Sequence, residues 1–158
     1  MISLKEIHES NEMTLEELQN HIVQLNKTGH LQYSRQRLQK HNPETTYGYI
    51  QDLKLAGGRF FLILSADEIS GTITLRWHDK GCRSVGIFVY EHLASLGVAY
   101  EAIQLVTRVV RLEGADMVHV GTSISNMPMR RVSERLGFIL QGFNKDASMM
   151  EVHYKKWL

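Results

Sequence analysis

The chain has 158 residues, 43% of them hydrophobic and 22% charged, which is ordinary for a soluble globular protein and enough for one full core. Eighteen basic against 17 acidic side chains leave a net charge of +1 with no basic cluster, so there is no electrostatic footprint for nucleic acid. A single cysteine, Cys82, excludes an internal disulfide framework, and no secretory leader or membrane-length apolar run is spelled. These bounds predict one cytoplasmic domain over residues 1–158, with no nucleic-acid or membrane partner.

Ile2 to Ile7 alternates as a first strand. Thr14 with Glu17 three residues on spells a capping box, so a helix begins there, with Leu15, Leu18, Ile22 and Leu25 on one face and Gly29 at its end. Residues 30–42 are polar and basic, compatible with a short helix or an ordered loop. Asn42-Pro43-Glu44 opens a second helix with Tyr47, Ile50, Leu53 and Leu55 among its apolar positions, and Ala56-Gly57-Gly58 stops it. Phe60 to Leu64 is apolar throughout, the pattern of a strand buried on both faces. Ala66-Asp67-Glu68 then turns into an alternating strand, Gly71 to Trp77, setting Ile73, Leu75 and Trp77 against Thr72, Thr74 and Arg76. His78-Asp79-Lys80-Gly81 turns again.

The chain is organised around Val85 to Val110. Val85-Gly86-Ile87-Phe88-Val89 reads as a buried strand, and a small-residue turn follows, Leu93 to Ala99. A helix then runs with apolar residues at Ala99, Ile103, Val106 and Val110. The first N–H groups of a helix lack helical partners and carry partial positive charge, so a strand, a glycine-bearing turn and a helix form a place for a pyrophosphate. Close strand–helix packing would explain the same small residues. Gly114 ends the helix, Asp116 to Thr122 is the next strand, and Asn126-Met127-Pro128 opens a helix through Arg130, Val132 and Leu136 to Gly137. Phe138 to Phe143 and Met150 to Tyr154 are the last strands, the second setting Met150, Val152 and Tyr154 opposite Glu151, His153 and Lys155. The order β-α-α-β-β-β-α-β-α-β-β implies an α/β (α+β) fold, with antiparallel hairpins early and a crossover around the long helix.

Several chemistries are excluded by spelling. There is no G-x-x-x-x-G-K-[ST] loop, no G-x-G-x-x-G opening a βαβ unit and no G-x-S-x-G elbow. The eight histidines show neither i, i+4 pairs nor cysteine partners at ligand spacing, so no metal is expected.

With these residues in it, the element order resembles the GNAT superfamily of acyl-CoA-dependent N-acyltransferases, with its central splayed mixed sheet. The family's Q/R-x-x-G-x-G/A turn falls on Ala94, Gly97 and Ala99. Tyr100-Glu101-Ala102 continues it as in the Rim-type branch that acetylates ribosomal proteins. Asn126 precedes Gly137-Phe138 by the family interval. The likeness covers residue 59 to the end well and the first 58 residues loosely. Residues 33–50, YSRQRLQKHNPETTYGYI, are similar to Rim-like enzymes of sugar pathways.

That resemblance implies direct transfer of an acetyl group from acetyl-CoA, as co-substrate, to a primary amine in a ternary complex. The acceptor it suggests is a small amine such as an amino sugar carried on a nucleotide. A protein N-terminus, as in the Rim-type enzymes, is the alternative. It assigns Phe88 and Val89 to the oxyanion end of the cofactor, Ser95, Leu96, Gly97, Val98, Ala99 and Tyr100 to the pyrophosphate turn, and Asn126 to cofactor binding. Tyr33, Arg35 and His41 would meet the acceptor, although a solvated basic face explains the arginines equally well. Three departures stand out: Ala94 replaces the turn's Arg or Gln, Ser133 the tyrosine that protonates the leaving thiolate, and Arg83-Ser84 a strand carboxylate. A CoA thiolate, with a pKa of about 8.5, leaves without much help near neutrality. The departures also fit a domain that binds CoA without catalysis or an interaction module with an empty groove, and a homodimer is left open. Among candidate bases, His119 is the first to test, with His78, Glu91, His41 and a water chain as alternatives. A strand histidine in an apolar run also serves as a hydrogen-bonded core residue. Glu101 either positions the turn or complements the helix dipole.

Overall fold

A computed structural model describes residues 1–9, 12–27, 41–94, 97–146 and 149–158. Its elements are β1 (Ile2–Ile7), α1 (Leu15–Leu25), α2 (Pro43–Leu55), β2 (Arg59–Ser65), β3 (Glu68–Asp79), β4 (Cys82–Val89), α3 (Val98–Leu112), β5 (Met117–Ser123), α4 (Met127–Arg135), β6 (Ile139–Asp146) and β7 (Met149–Trp157). This is the order read from the sequence. One short 3-10 turn, Glu91–Leu93, is added between β4 and α3.

The seven strands form one sheet in the order β1-β2-β3-β4-β5-β7-β6. Every neighbouring pair is antiparallel except β4 and β5, which α3 joins as a parallel crossover. The last strand inserts between β5 and β6, leaving β6 at the edge.

Strand alternation divides the molecule into two cores. Phe61, Ile63, Ile73, Leu75, Val85, Val118, Val120, Val152 and Tyr154 pack against Val98, Ala102, Ile103, Val106 and Val110 of α3 and Met129 of α4. On the opposite face Phe60 and Leu62 meet Ile50 and Leu53 of α2. Leu25 of α1 packs on Phe88 and Tyr90. The first helices thus cover β1–β4 on that second face.

The helix starts follow their spelling. Thr14 Oγ1 accepts from Glu17 N while Glu17 answers to Thr14 N, and Asn42 and Thr45 repeat the arrangement at α2. Four readings of faces need correction. Leu15 and Leu55 are exposed, because α1 turns Leu18, His21, Gln24 and Leu25 inward and α2 turns Thr46, Ile50 and Leu53. Thr72 and Thr74 are buried because α1 and α2 cover their side of β3. Trp77 is exposed, its ring facing the Arg83 guanidinium at 4.3 Å. Met149 rather than Met150 is buried on β7, on the face of Glu151. His78 and Asp79 belong to β3, so the hairpin turn is only Lys80-Gly81. Arg83, at 1% exposure, takes the place where a strand carboxylate was sought. It is held by Glu113, with Nε 3.0 Å from Oε2, and by donation to the Gly57 carbonyl.

Candidate active site

The site is built by the one parallel strand pair. β4 pairs with β5 only from Cys82 to Val85, opposite Met117 to Val120. Beyond that β4 stays on β3 as far as Val89, and β5 stays on β7 as far as Ser123. The sheet therefore opens into a slot with Gly86–Val89 on one lip and Gly121–Ser123 on the other. Of the two lip residues named by the family likeness, Phe88 turns toward α1, meeting His21 edge-on with centroids 6.1 Å apart. Val89 packs on the α3 side.

Below the slot the chain passes through the 3-10 turn into α3. Gly97 is the N-cap of α3 with φ +78°, no side chain among the described residues caps that end, and open space surrounds the position its Cβ would take. Left-handed backbone favours glycine. Val98 is buried, Ala99 and Tyr100 are half-buried, and Tyr100 lies beneath the Arg135 guanidinium at 5.3 Å. The expected turn residues Ser95 and Leu96 lie outside the described residues. Glu101 is exposed in the first turn of α3, with its backbone N–H on the Gly97 carbonyl.

Asn126 and Ser133 spend their side chains locally. Asn126 Oδ1 caps α4 by accepting from Met129 N, and its Nδ2 donates to Thr122 Oγ1 at the end of β5. Ser133, fully buried, donates to the Met129 carbonyl at 2.9 Å.

His119 lies on the α1/α2 face of β5, 5% exposed, with both ring nitrogens engaged: Nδ1 with Ser84 Oγ at 2.8 Å and Nε2 with His153 Nδ1 at 2.8 Å. Burial first, then the charges of His78, His153 and Lys155, push its pKa down to about 3, with Asp79 opposing. It is therefore uncharged at neutral pH, and its donor and acceptor nitrogens both meet protein neighbours. His78 stacks on it with centroids 3.8 Å apart. Glu91 sits exposed in the 3-10 turn.

Two residues at this place were not singled out by sequence reasoning. Glu151 of β7 is 5% exposed and sits opposite Ser123, beside the open part of the slot. His153 lies next to it, Nε2 3.8 Å from Glu151 Oε1. The signal was the polar side of β7, where Glu151, His153 and Lys155 alternate with the buried Val152 and Tyr154. Alternation alone does not show that this side carries a buried carboxylate, Glu151.

Between α1, α2 and the sheet lies a pocket lined by His21, His41, Thr45, Thr46, Tyr49, Thr72 and Thr74, with Leu25 and Phe60. His21 Nδ1 is 2.9 Å from Tyr90 Oη. Burial, and secondarily His41, push the His21 pKa down to about 4, and burial with the charge of Glu17 pushes the Tyr90 phenol up. His41 is thus at the pocket, whereas Tyr33, Arg35 and Arg37 lie outside the described residues. Among the described residues, no group of three or more His, Cys, Asp or Glu is arranged to hold a metal ion, and no helix is long and apolar enough to cross a membrane.

Comparison with known proteins agrees with this geometry. Residues 11–139 match the family model of the acetyltransferase (GNAT) domain. No curated protein sequence matches the chain. Among solved structures, a RimL ribosomal L7/L12 alpha-N-protein acetyltransferase in complex with coenzyme A superposes with a TM-score of 0.84 at 19% identity, covering 99% of this chain and 94% of that one. An acetyltransferase from Salmonella typhimurium that modifies the N-terminal serine of ribosomal protein L7/L12 gives 0.79 at 18% identity, covering 99% and 95%. A domain from Methanocaldococcus jannaschii gives 0.79 at 16% identity, covering 100% and 99%. With the split sheet and the glycine-led α3 in place, the chain belongs to the GNAT acetyltransferases and is an N-acetyltransferase.

Proposed function

We propose that this chain transfers an acetyl group from acetyl-CoA to the primary amine of a small, hydroxyl-rich acceptor such as an amino sugar. One observation carries the choice of acceptor. The pocket beside the slot offers hydroxyl groups from Thr45, Thr46, Tyr49, Thr72 and Thr74 and imidazoles from His21 and His41, with no carboxylate among its described lining residues. Such a surface matches the alternating donors and acceptors of sugar hydroxyls and gives a cationic peptide no counter-charge.

The residues present fit the donor. Gly97 leaves the N-terminus of α3 open to a pyrophosphate, with Val98, Ala99 and Tyr100 supplying the first backbone N–H groups. Phe88 and Val89 line the lip along which the acyl end would lie. Asn126 holds the end of the opposite strand to α4. Acetyl-CoA supplies the activated thioester, and the protein must supply a proton acceptor, because an amine with a pKa of about 10 arrives protonated. Glu151 is the carboxylate at the slot, and we assign it that role in preference to His119. Ser133 donates within α4 to the Met129 carbonyl one turn back, and we assign it no part in protonating the thiolate.

A second reading, acetylation of protein N-termini, draws on the RimL-type structures, whose named substrate is ribosomal protein L7/L12. A thiol-release assay with acetyl-CoA and matched panels of amino sugars, nucleotide-linked amino sugars and N-terminal peptides decides between them. Turnover with the sugars alone is expected. Turnover with peptides alone would overturn the acceptor assignment. Glu151→Gln is expected to lower kcat by roughly 10²–10⁴-fold with acetyl-CoA affinity unchanged.

A further inference from the structure

Three imidazoles from three strands meet on the α1/α2 face of the sheet. The rings of His78 (β3) and His119 (β5) stack with planes 4° apart, and those of His119 and His153 (β7) lie 5.0 Å apart at 18°. They sit where the sheet opens. A Cβ on Gly121, the first β5 residue past the β4 pairing, would come within 3.1 Å of His153 Nδ1 and 3.3 Å of His119 Cε1. Gly121 is therefore the residue that lets both rings lie over the β5 backbone.

The hydrogen bonds form a file: Ser84 Oγ to His119 Nδ1 at 2.8 Å, His119 Nε2 to His153 Nδ1 at 2.8 Å, and His153 Nε2 to Asn144 Oδ1, with Glu151 Oε1 3.8 Å from the same Nε2. A neutral imidazole has one donor and one acceptor nitrogen, whereas an imidazolium has two donors. A neutral His119 that donates from Nδ1 to Ser84 presents a bare Nε2 to His153. His153 then has an acceptor at each ring nitrogen, His119 at Nδ1 and Asn144 with Glu151 at Nε2, which is the environment that stabilises the ring once it has taken up a proton. His119 itself is buried between His78 and His153, with Lys155 and Asp79 close by, and its depressed pKa agrees with its staying neutral. Two stacked cations would repel, so the trio accommodates one charge. His78 and His153 each have a carboxylate beside them, Asp79 at 3.6 Å and Glu151 at 3.8 Å, and His153 is the ring whose carboxylate lies at the slot.

We propose that His153 receives the proton that Glu151 takes from the acceptor amine and passes it to solvent, with His119 as the positioning residue that holds His153 ready by accepting its Nδ1–H. The proposal rests on the acetyltransferase reading of the slot. In the step, the O–H bond of the protonated Glu151 breaks, its proton joins the lone pair of His153 Nε2, and the carboxylate is restored. The imidazolium then loses that Nε2 proton to water, the His153 side chain being 26% exposed. No other reactant is needed.

The test combines three variants with kcat–pH profiles in the thiol-release assay. His153→Gln is expected to lower kcat at least tenfold while leaving acetyl-CoA affinity within twofold. His119→Leu removes the acceptor at Nδ1 and should move the acid limb of the profile about one pH unit lower, the size of one hydrogen bond to a charged group. His119→Gln, whose amide oxygen can accept the same hydrogen, should restore the limb, a rescue that packing alone would not distinguish from leucine. A kcat within twofold of the parent for folded His153→Gln, or identical limbs for the two His119 variants, would overturn the proposal. If the parent protein turns over no amine, the reading of the slot fails, and 15N NMR of the His153 ring still decides this one. Its Nδ1–H should show a hydrogen bond that is lost in His119→Leu and kept in His119→Gln, and an unchanged Nδ1–H signal in His119→Leu would refute it.

Discussion

At Gly97 the backbone conformation and the charge that the site must accept are separable. The residue holds φ +78° with nothing near its missing Cβ, so a side chain there meets strain but no clash. Asn and Asp tolerate left-handed backbone best among the other residues, and they differ by one charge. Gly97→Asn therefore reports the backbone effect and Gly97→Asp adds repulsion. One like-charge pair at ~5 Å with an effective dielectric of about 20 costs about 3 kcal/mol, a loss of affinity on the order of a hundredfold. Acetyl-CoA titrations should show that gap between two variants of similar melting temperature. Equal affinities would move the pyrophosphate away from this turn. Gly97 was legible as the start of α3, because a glycine before an amphipathic helix marks its cap, although close strand–helix packing spells the same turn. Glu151 was not. An alternating strand shows which residues share a face, and the chain gives no sign that this polar face of β7 closes over the mouth of a slot. Asn126 was legible as a position, yet its Oδ1 and Nδ2 are both committed to the junction of β5 and α4.

Elements came through almost intact because their signals are local. Thr14 with Glu17 and Asn42 with Pro43 set the two helix starts, and the apolar spacing of Ile103, Val106 and Val110 set the buried side of α3. What failed was the choice of face where neighbouring positions are both apolar. Leu15 and Leu18 both suit a hydrophobic stripe, but α1 lies at an angle that buries Leu18 completely and leaves Leu15 64% exposed. The insertion of β7 between β5 and β6 was likewise hidden, since it depends on contacts distant in sequence. The two leucines give a direct check on the orientation of α1. Leu18→Ala should cost about 2–5 kcal/mol through lost burial and the cavity left behind. Leu15→Ala should stay within roughly 0.5 kcal/mol. Urea unfolding of both variants measures the difference, and comparable losses would mean that α1 is rotated about its axis.

Among the described residues two imidazoles must stay neutral to remain buried, and at the scale of the whole molecule they set a response to acid. His21 lies under α1 against Tyr90, and His119 lies in the histidine trio on the same face of the sheet. Their folded pKa values of about 4 and about 3 lie below the ordinary histidine value of 6.5. The unfolded chain therefore binds more protons than the folded one below that value, so stability rises with pH. The contribution is complete above about pH 6.5 and is lost as the pH falls through 5 toward 4 and 3. Near pH 5 unfolding should take up close to two protons from these rings, a slope of about 2–3 kcal/mol per pH unit. Against a total stability of roughly 5–15 kcal/mol, that slope is enough to unfold the domain within a few units of acid. Glu6, held below its ordinary carboxylate value chiefly by its hydrogen bond to Arg59, adds a loss in the same direction at lower pH. Urea midpoints measured from pH 4.5 to 6.5 would give the slope directly. His21→Gln and His119→Gln should each remove about one proton from the uptake, and the double variant should be nearly flat above pH 5. A double variant as acid-sensitive as the parent would place the protons on other groups and leave both rings outside the acid response of the fold.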